Sequence, residues 1–246
     1  MIKRWLRRFP ILYVALQRAY YACRYAGERY LFGTALHEFT WRWRGVRAFA
    51  APSIEHPHRA FLLERARRFA PVESILEVGC DGGANLLLLA RAFPHAQLYG
   101  VDINAGAIAT AQALLARAGF GDVILRVGRA HDLRLLADRS VDLVVTDATL
   151  MYVGSDRIRQ ALRELVRVAR KGLLLNEWHL FAAAGAAVQA HRWYDAHWVH
   201  DYERLLQGVA GVQAVRVEPL PAGLWGAGGW QEYGAIVEAS VVSAPT

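Results

Sequence analysis

Residues 75–90 read ILEVGCDGGANLLLLA, an apolar run that reaches Glu77, then a glycine-rich turn, then a leucine-rich run with helical spacing. This order predicts a buried strand, a tight turn and a helix. Gly79, Gly82 and Gly83 leave the backbone of the turn bare, so that another molecule can approach it closely. Unpaired N–H groups at the start of the helix attract an anionic group. The stretch therefore predicts a ligand-binding turn.

A second strand end lies further along the chain, where YGVDIN places Asp102. An acid at such a position, about twenty residues after the turn, accepts hydrogen bonds from ribose hydroxyls, so the two strand ends predict a nucleoside ligand. The dinucleotide fingerprint G-x-G-x-x-G would need glycine at positions 81 and 84, but the chain has Asp81 and Ala84. A carboxylate suits a ligand with an ammonium group better than a pyrophosphate. S-adenosylmethionine is therefore favoured over NAD.

The rest of the chain alternates short apolar runs with helical patterns, which is typical of a parallel sheet covered by helices. We predict an α/β fold, a doubly wound Rossmann-like seven-stranded mostly parallel sheet with an N-terminal helical segment. Its domains are residues 1–57, a basic aromatic-rich helical segment, and residues 58–246. Within them, helices are predicted at 11–31, 58–69, 84–93, 104–118 and 155–168, a connection at 45–57 and a helix-rich insertion around 191–207. Strands are predicted at SILEVG, QLYGVDI, DVILRV, SVDLVVTD, GLLLNEW, GVQAVRVE and EYGAIVEASVV.

Positive charge is concentrated near the N-terminus. Residues 1–50 hold ten of the 29 Lys and Arg, against two Glu, together with twelve aromatic residues. This mixture suits an anionic surface, so peripheral membrane contact through residues 1–44 is one prediction, and a helix packed on the catalytic domain is the other. The apolar runs are too short for a membrane-spanning helix. Two cysteines, Cys23 and Cys80, favour a reducing, cytoplasmic location over a disulfide framework.

The run Glu77-Val78-Gly79-Cys80-Asp81-Gly82-Gly83 resembles the first motif of the class I S-adenosylmethionine-dependent methyltransferases, commonly written E/D-x-G-x-G-x-G. Asp81 replaces the middle glycine. The resemblance covers about residues 73–180 and implies a last strand that is antiparallel to the others. It also implies that Asp102 binds the ribose and that Ile103 packs on adenine.

The residues that the resemblance assigns to S-adenosylmethionine are Glu77, Gly79, Cys80, Asp81, Gly83, Asn85, Asp102, Ile103, Ala130 and His131. The last two follow from the segment after the third strand, where the family usually has an acid. This chain has Arg129 there, so the adenine contacts fall to Ala130 and His131.

The methyl acceptor is expected beside the next two strand ends. Asp147 is a catalytic candidate because cofactor and acceptor meet at that position in the family. Methyl transfer from a sulfonium is an in-line displacement in which positioning supplies much of the rate, and a base helps when the acceptor must lose a proton. His179 is the predicted base. Further candidates are Glu177, His191, His197 and His200.

Two other features near the acceptor side have alternative interpretations. His191, Asp195, His197 and His200 match no common metal-ligand spacing, so no metal is predicted. The stretch LPAGLWGAGGWQEYG at 220–234 is predicted to be either an aromatic wall of the acceptor pocket or a tight connection between the last two strands.

Together these features predict an S-adenosylmethionine-dependent methyltransferase for a small-molecule or a lipid- or glycan-linked acceptor. A nucleic-acid acceptor is disfavoured, because no proline of the D/N-P-P-Y motif follows Asp147. The alternatives are a nicotinamide-dependent oxidoreductase and a non-catalytic module that binds a membrane or a protein. No oligomeric state is predicted.

Overall fold

The computed structural model describes residues 33–43, 54–181, 190–226 and 228–242. The helix predicted at 11–31 and most of the connection at 45–57 lie outside these residues. The division of the chain at residue 57 therefore stays a prediction.

Seven of the described strands form one sheet with the spatial order β3-β2-β1-β4-β5-β9-β8. The strands β1 to β5 are parallel to one another, and β9 runs antiparallel to both of its neighbours. The predicted doubly wound, mostly parallel sheet and its antiparallel last strand are confirmed. In chain order the strands are β1 Ser74–Val78, β2 Gln97–Asp102, β3 Ile124–Val127, β4 Val141–Asp147, β5 Ala169–Trp178, β8 Val212–Pro219 and β9 Gly234–Val241.

The central strands are apolar without interruption because helices cover both faces of the sheet. All of β1 is buried, and β4 is buried except at its last residue, Asp147. The two sides of the sheet carry separate hydrophobic clusters, one centred on Leu162 and Leu165 and the other on Leu86 and Leu98. This rigid double layer fixes the carboxyl ends of β1, β2 and β4, from which the site is built.

Seven helices surround the sheet in the described residues: α1 Thr34–Arg42, α2 Pro57–Arg67, α3 Ala84–Ala92, α4 Ala105–Arg117, α5 Ile158–Val168, α6 Tyr202–Gln207 and α7 Gly229–Tyr233. Their starts follow local chemistry. The side chain of Asn104 accepts hydrogen bonds from the N–H groups of Gly106 and Ala107 and so caps α4. His56 lies in the same position before α2, where Pro57 occupies the first turn.

The insertion after β5 differs from the predicted helix-rich segment. His191–Tyr194 (β6) and His197–His200 (β7) pair as an antiparallel hairpin, and only Tyr202–Gln207 is helical. In the hairpin the ring of Trp193 packs edge-to-face against that of Trp198 at a centroid distance of 5.0 Å. Aromatic pairs across neighbouring strands stabilise such a hairpin, and this gain outweighs the local helical spacing.

Candidate active site

A cavity of about 330 Å³ lies at the carboxyl ends of β1, β2 and β4. Its volume is within the range of small-molecule sites. Of the predicted site residues, the cavity is lined by Glu77, Gly79, Cys80, Asp81, Asn85, Asp102, Ile103, Ala130, His131 and Asp147. Gly83 and His179 are not among the lining residues.

The turn after β1 needs its glycine for two reasons. Gly79 has a φ of +80°, and a Cβ there would lie 2.0 Å from Oγ1 of Thr149. Asp81, which replaces the family's middle glycine, also has a positive φ, of 43°. Aspartate tolerates this region better than most residues, so the turn keeps its shape despite the replacement.

Gly83 supports the site without facing it. It begins α3 in the left-handed conformation, and a Cβ there would lie 2.9 Å from the Cβ of Ala111 in α4. The glycine therefore allows α3 to pack closely against α4. The structure thus gives Gly83 a packing role, and its predicted contact with the cofactor stays a prediction.

Asp102 joins the two strand ends that the sequence singled out. Its Oδ2 accepts a hydrogen bond from the N–H of Asp81 at 2.9 Å, and its Oδ1 accepts one from the N–H of Asn104 at 2.8 Å. The N–H of Gly79 donates to the carbonyl of Val101 at 2.7 Å. The glycine turn and the ribose-binding candidate are thus parts of one wall of the cavity. Burial outweighs these bonds and raises the pKa of Asp102.

The N-terminal helix α1 lies across the side of the cavity where Ile103, Ala130 and His131 are found. Glu38 accepts a hydrogen bond from Nε of Arg129 at 3.0 Å and lies 3.3 Å from Nδ1 of His131. The carbonyl of Trp41 accepts a hydrogen bond from the side chain of Asn104 at 3.0 Å. The part of the N-terminal segment that the structure describes therefore packs on the α/β sheet domain and forms a wall of the cavity.

At the foot of the cavity, Glu77 is 2% exposed. Its Oε1 accepts a hydrogen bond from Nδ2 of Asn85 at 2.7 Å, while Oε2 is buried with no hydrogen-bond partner among the described residues. Burial raises the pKa of Glu77 to about 8. A buried oxygen without a donor is costly, so this atom is well suited to receive a donor from a ligand.

Asp147 is held from several sides at the end of β4. Its Oδ1 accepts a hydrogen bond from Asn176 at 2.7 Å, and its Oδ2 accepts one from Asn85 at 3.0 Å and lies 3.0 Å from Nε2 of His58. The guanidinium of Arg59 lies 3.6 Å away. Burial opposes ionisation, but the bonds from His58 and Asn85 and the charge of Arg59 outweigh it and lower the pKa of Asp147.

The sequence analysis missed the two histidines at the start of α2. His56 and His58 line the cavity, and Nδ1 of His58 lies 2.5 Å from Nδ1 of His56. The indole of Trp225 stacks on His58 with ring centroids 4.2 Å apart, and Trp230 stacks on Trp225 at 4.4 Å. Trp225 lines the cavity, so the 220–234 segment forms part of its wall. In the sequence, these two histidines are marked only by the His-Pro-His run at residues 56–58.

The predicted base, His179, lies away from the cavity. It is 4% exposed, its Nδ1 accepts a hydrogen bond from the N–H of Tyr202 at 3.3 Å, and burial lowers its pKa to about 4. Glu177 is also buried, and its carboxylate accepts hydrogen bonds from the N–H groups of Thr149 and Leu150. Both residues therefore support the loop after β4 and the hairpin, and neither reaches the cavity.

Within the described residues, no group of three His, Cys, Asp or Glu side chains is placed to hold a metal ion. His191 and His200 contact each other, with their Nδ1 atoms 2.9 Å apart, and His197 packs on Tyr152. In the same part of the chain, no helix is both long and apolar enough to cross a bilayer.

A mostly parallel α/β sheet with a glycine turn after β1 and an acid after β2 defines a class of nucleoside-binding enzyme folds. Residues 75–172, which contain both features, match the family model described as a methyltransferase domain. This match confirms the predicted resemblance of this part of the chain to the class I S-adenosylmethionine-dependent methyltransferases. The family match also confirms S-adenosylmethionine as the cofactor.

Two relatives illustrate the range of similarity. An uncharacterized protein of Haemophilus influenzae is 30% identical over 168 residues, which are 68% of this chain and 59% of that protein. Release factor glutamine methyltransferase of Geobacter sulfurreducens is 34% identical over 122 residues, which are 48% of this chain and 40% of that protein. The chain therefore spans about half the length of these relatives.

Solved structures share the fold at low sequence identity. Magnesium protoporphyrin IX methyltransferase from Synechocystis PCC 6803, solved with bound S-adenosylmethionine, has a TM-score of 0.57 at 17% identity, covering 85% of this chain and 96% of that chain. The cyclase SpnF has a TM-score of 0.61 at 18% identity, covering 83% of this chain and 87% of that one. Because a cyclase shares this fold, the fold alone does not define the reaction.

Proposed function

We propose that the protein is a cytoplasmic enzyme that transfers the methyl group of S-adenosylmethionine to a small-molecule or a lipid- or glycan-linked acceptor. The observation that carries this proposal is the wall formed by the glycine turn and Asp102. The N–H of Asp81 binds the carboxylate of Asp102 at 2.9 Å, so one ligand can contact both.

The lining residues fit the cofactor. The ammonium of the methionine part would favour the ionised form of Glu77, displace its proton and bind at the unpartnered Oε2. The bare backbone at Gly79 leaves room for it. Asp102 would accept the ribose hydroxyls, and Ile103 and Ala130 would flank the adenine. The bound cofactor supplies an electrophilic methyl group, and the protein holds it beside the acceptor.

The topology divides the cavity into two sides. β2 and β3 lie on one side of β1, whereas β4 and β5 lie on the other. Of the nucleoside residues, Asp102 ends β2 and Ala130 follows β3. Asp147 ends β4, so the acceptor is expected on that side, among His56, His58 and Trp225. The aromatic lining favours a small organic acceptor.

Calorimetry on the purified chain, with S-adenosylmethionine and NAD as separate ligands, tests the cofactor. We expect binding of S-adenosylmethionine and not of NAD. Asp102→Ala should weaken this binding, whereas Asp122→Ala, which removes an exposed acid outside the cavity, is the matched control and should not. Methyl-labelled cofactor is then supplied with pooled small-molecule, lipid, protein and RNA acceptors. Labelled small molecules support the proposal, whereas binding of NAD alone, or label only in protein or RNA, contradicts it.

A bound cofactor with no labelled product would instead favour the non-catalytic alternative. Vesicles of anionic and neutral lipid then test the contact predicted for residues 1–44. Binding of the full chain to anionic vesicles, and its loss at high salt, would support that contact.

A further inference from the structure

The acceptor side of the cavity contains a chain of three polar side chains that the cofactor does not need. Nε2 of His58 lies 3.0 Å from Oδ2 of Asp147, and Nδ1 of His58 lies 2.5 Å from Nδ1 of His56. We propose that His56 is the general base for an acceptor hydroxyl, with His58 and Asp147 as the relay that carries the proton away. This inference rests on the proposed methyl transfer.

The direction of the relay follows from the atoms that are already engaged. Asp147 is 7% exposed in its side chain and His58 is 4% exposed, so the inner end of the chain is buried. His56 is partly exposed and lines the cavity. The two nitrogens of an imidazole lie on different edges of the ring. Since Nδ1 of His56 contacts His58, Nε2 of His56 points away from His58. The outer end of the chain is thus the one that can meet an acceptor.

Two protonation states fit these distances. In the resting state the His58 Nε2–H donates to Asp147, the His56 Nδ1–H donates to Nδ1 of His58, and Nε2 of His56 keeps a lone pair. In the second state His58 holds both protons as an imidazolium, and Nδ1 of His56 is an acceptor. The N–H of His58 lies 3.4 Å from that same Nδ1 and can then donate to it.

The reaction step balances between these two states. As the acceptor oxygen forms a bond to the methyl carbon, the carbon–sulfur bond breaks and its electron pair stays on sulfur, which becomes a neutral thioether. The hydroxyl proton passes to Nε2 of His56, and the Nδ1 proton of His56 passes to His58. The positive charge therefore ends between the carboxylate of Asp147 and the indole of Trp225, whose centroid is 4.2 Å from that of His58.

The relay favours a hydroxyl over other acceptors. A neutral amine has a lone pair available before it loses a proton, whereas a hydroxyl gains most of its nucleophilicity when the proton is removed. The pKa of His56 is lowered by burial and by the nearby charges of His58 and Arg59. The carboxylate of Asp147 acts in the opposite direction but does not outweigh them, so the ring of His56 stays unprotonated at neutral pH.

The same contacts could serve only to cap α2, and the experiment separates the two roles. Imidazole nitrogens are observed by NMR in the full chain, labelled with ¹⁵N-histidine and saturated with S-adenosylhomocysteine, between pH 5 and 9. We expect a lone pair on Nε2 of His56 and a proton on Nε2 of His58 above neutral pH. A proton on Nε2 of His56 at pH 8 would overturn the relay, because the ring would then be a cap alone.

Kinetics with the acceptor found by labelling give the second readout. His56→Asn keeps a side-chain oxygen that can cap α2 but removes the base, so we expect kcat to fall by about 10²- to 10⁴-fold, with cofactor affinity unchanged. His95→Asn, at an exposed site outside the cavity, is the control. A His56→Asn variant with unchanged kcat, or a labelled product without a methyl ether, would contradict the relay even if methyl transfer itself is established.

Discussion

Replacement of Asp102 by alanine tests the assignment on which the cofactor site depends. Both carboxylate oxygens of Asp102 are oriented by backbone N–H groups, at 2.9 Å from Asp81 and 2.8 Å from Asn104. This leaves the remaining lone pairs for ribose hydroxyls. Loss of a hydrogen bond to a charged group costs about 1.5–3 kcal/mol. The dissociation constant for S-adenosylmethionine should therefore rise roughly 10- to 150-fold.

Isothermal calorimetry measures this change, and two controls separate its causes. Asp102→Asn keeps an oxygen that can accept one of the two backbone N–H bonds, while thermal unfolding without ligand reports any damage to the turn. We expect Asp102→Ala to lose affinity for S-adenosylmethionine and S-adenosylhomocysteine equally, because both carry the ribose. An unchanged affinity in a folded Asp102→Ala variant would refute the ribose assignment.

Three further predictions concern the packing and the pH response. Gly79→Ala should destabilise the fold by at least about 1 kcal/mol and weaken cofactor binding, because residue 79 has a positive φ and its Cβ would lie 2.0 Å from Thr149. Urea unfolding measures the loss of stability. Recovery of stability in the double variant with Thr149→Gly would confirm the clash. Burial raises the pKa of Glu77 to about 8, so between pH 4.5 and 8 the folded state holds a proton that the unfolded state has lost, and the free energy of unfolding falls as the pH rises. Over this range the free energy of unfolding of Glu77→Gln should increase relative to the wild type by up to about 1.4 kcal/mol per pH unit. Parallel curves of unfolding free energy against pH for the two proteins would contradict the raised pKa. Burial lowers the pKa of His200 to about 3, so stability is lost as the pH falls through 6.5, and His200→Gln should flatten that slope in acid unfolding.

The helix α1 links the N-terminal segment to the site in a way that bears on the membrane prediction. Thr34 donates a hydrogen bond to Asp156 at 2.7 Å, and the ring of Trp41 packs on Tyr152 at 4.9 Å. Phe39 and Trp43 are 64% and 74% exposed. One face of α1 therefore closes the cavity, while aromatic side chains remain on the other. The prediction of membrane contact through residues 1–44 stays open to the vesicle experiment.

The strand pattern alone brings together the residues that are predicted to bind the cofactor. Gly79 and Ala130 follow β1 and β3, and Asp102 ends β2, so all three lie at one edge of the parallel sheet. The acceptor half could not be predicted in this way. His56, Asp147 and Trp225 come from three distant segments, and their contacts depend on how α2 and the β8–β9 connection fold over the sheet. His179 was chosen for its nearness to β5, but its side chain is buried behind the strand end.

The sequence by itself determined the sheet, the helices α2 to α5 and the glycine turn, because apolar periodicity and backbone freedom are local properties of a few residues. Only the tertiary structure decided that residues 191–200 form a hairpin, that Gly83 serves helix packing, and that two histidines before and within α2 meet Asp147. Those outcomes depend on burial and on contacts between segments far apart in the chain, and no local pattern records them.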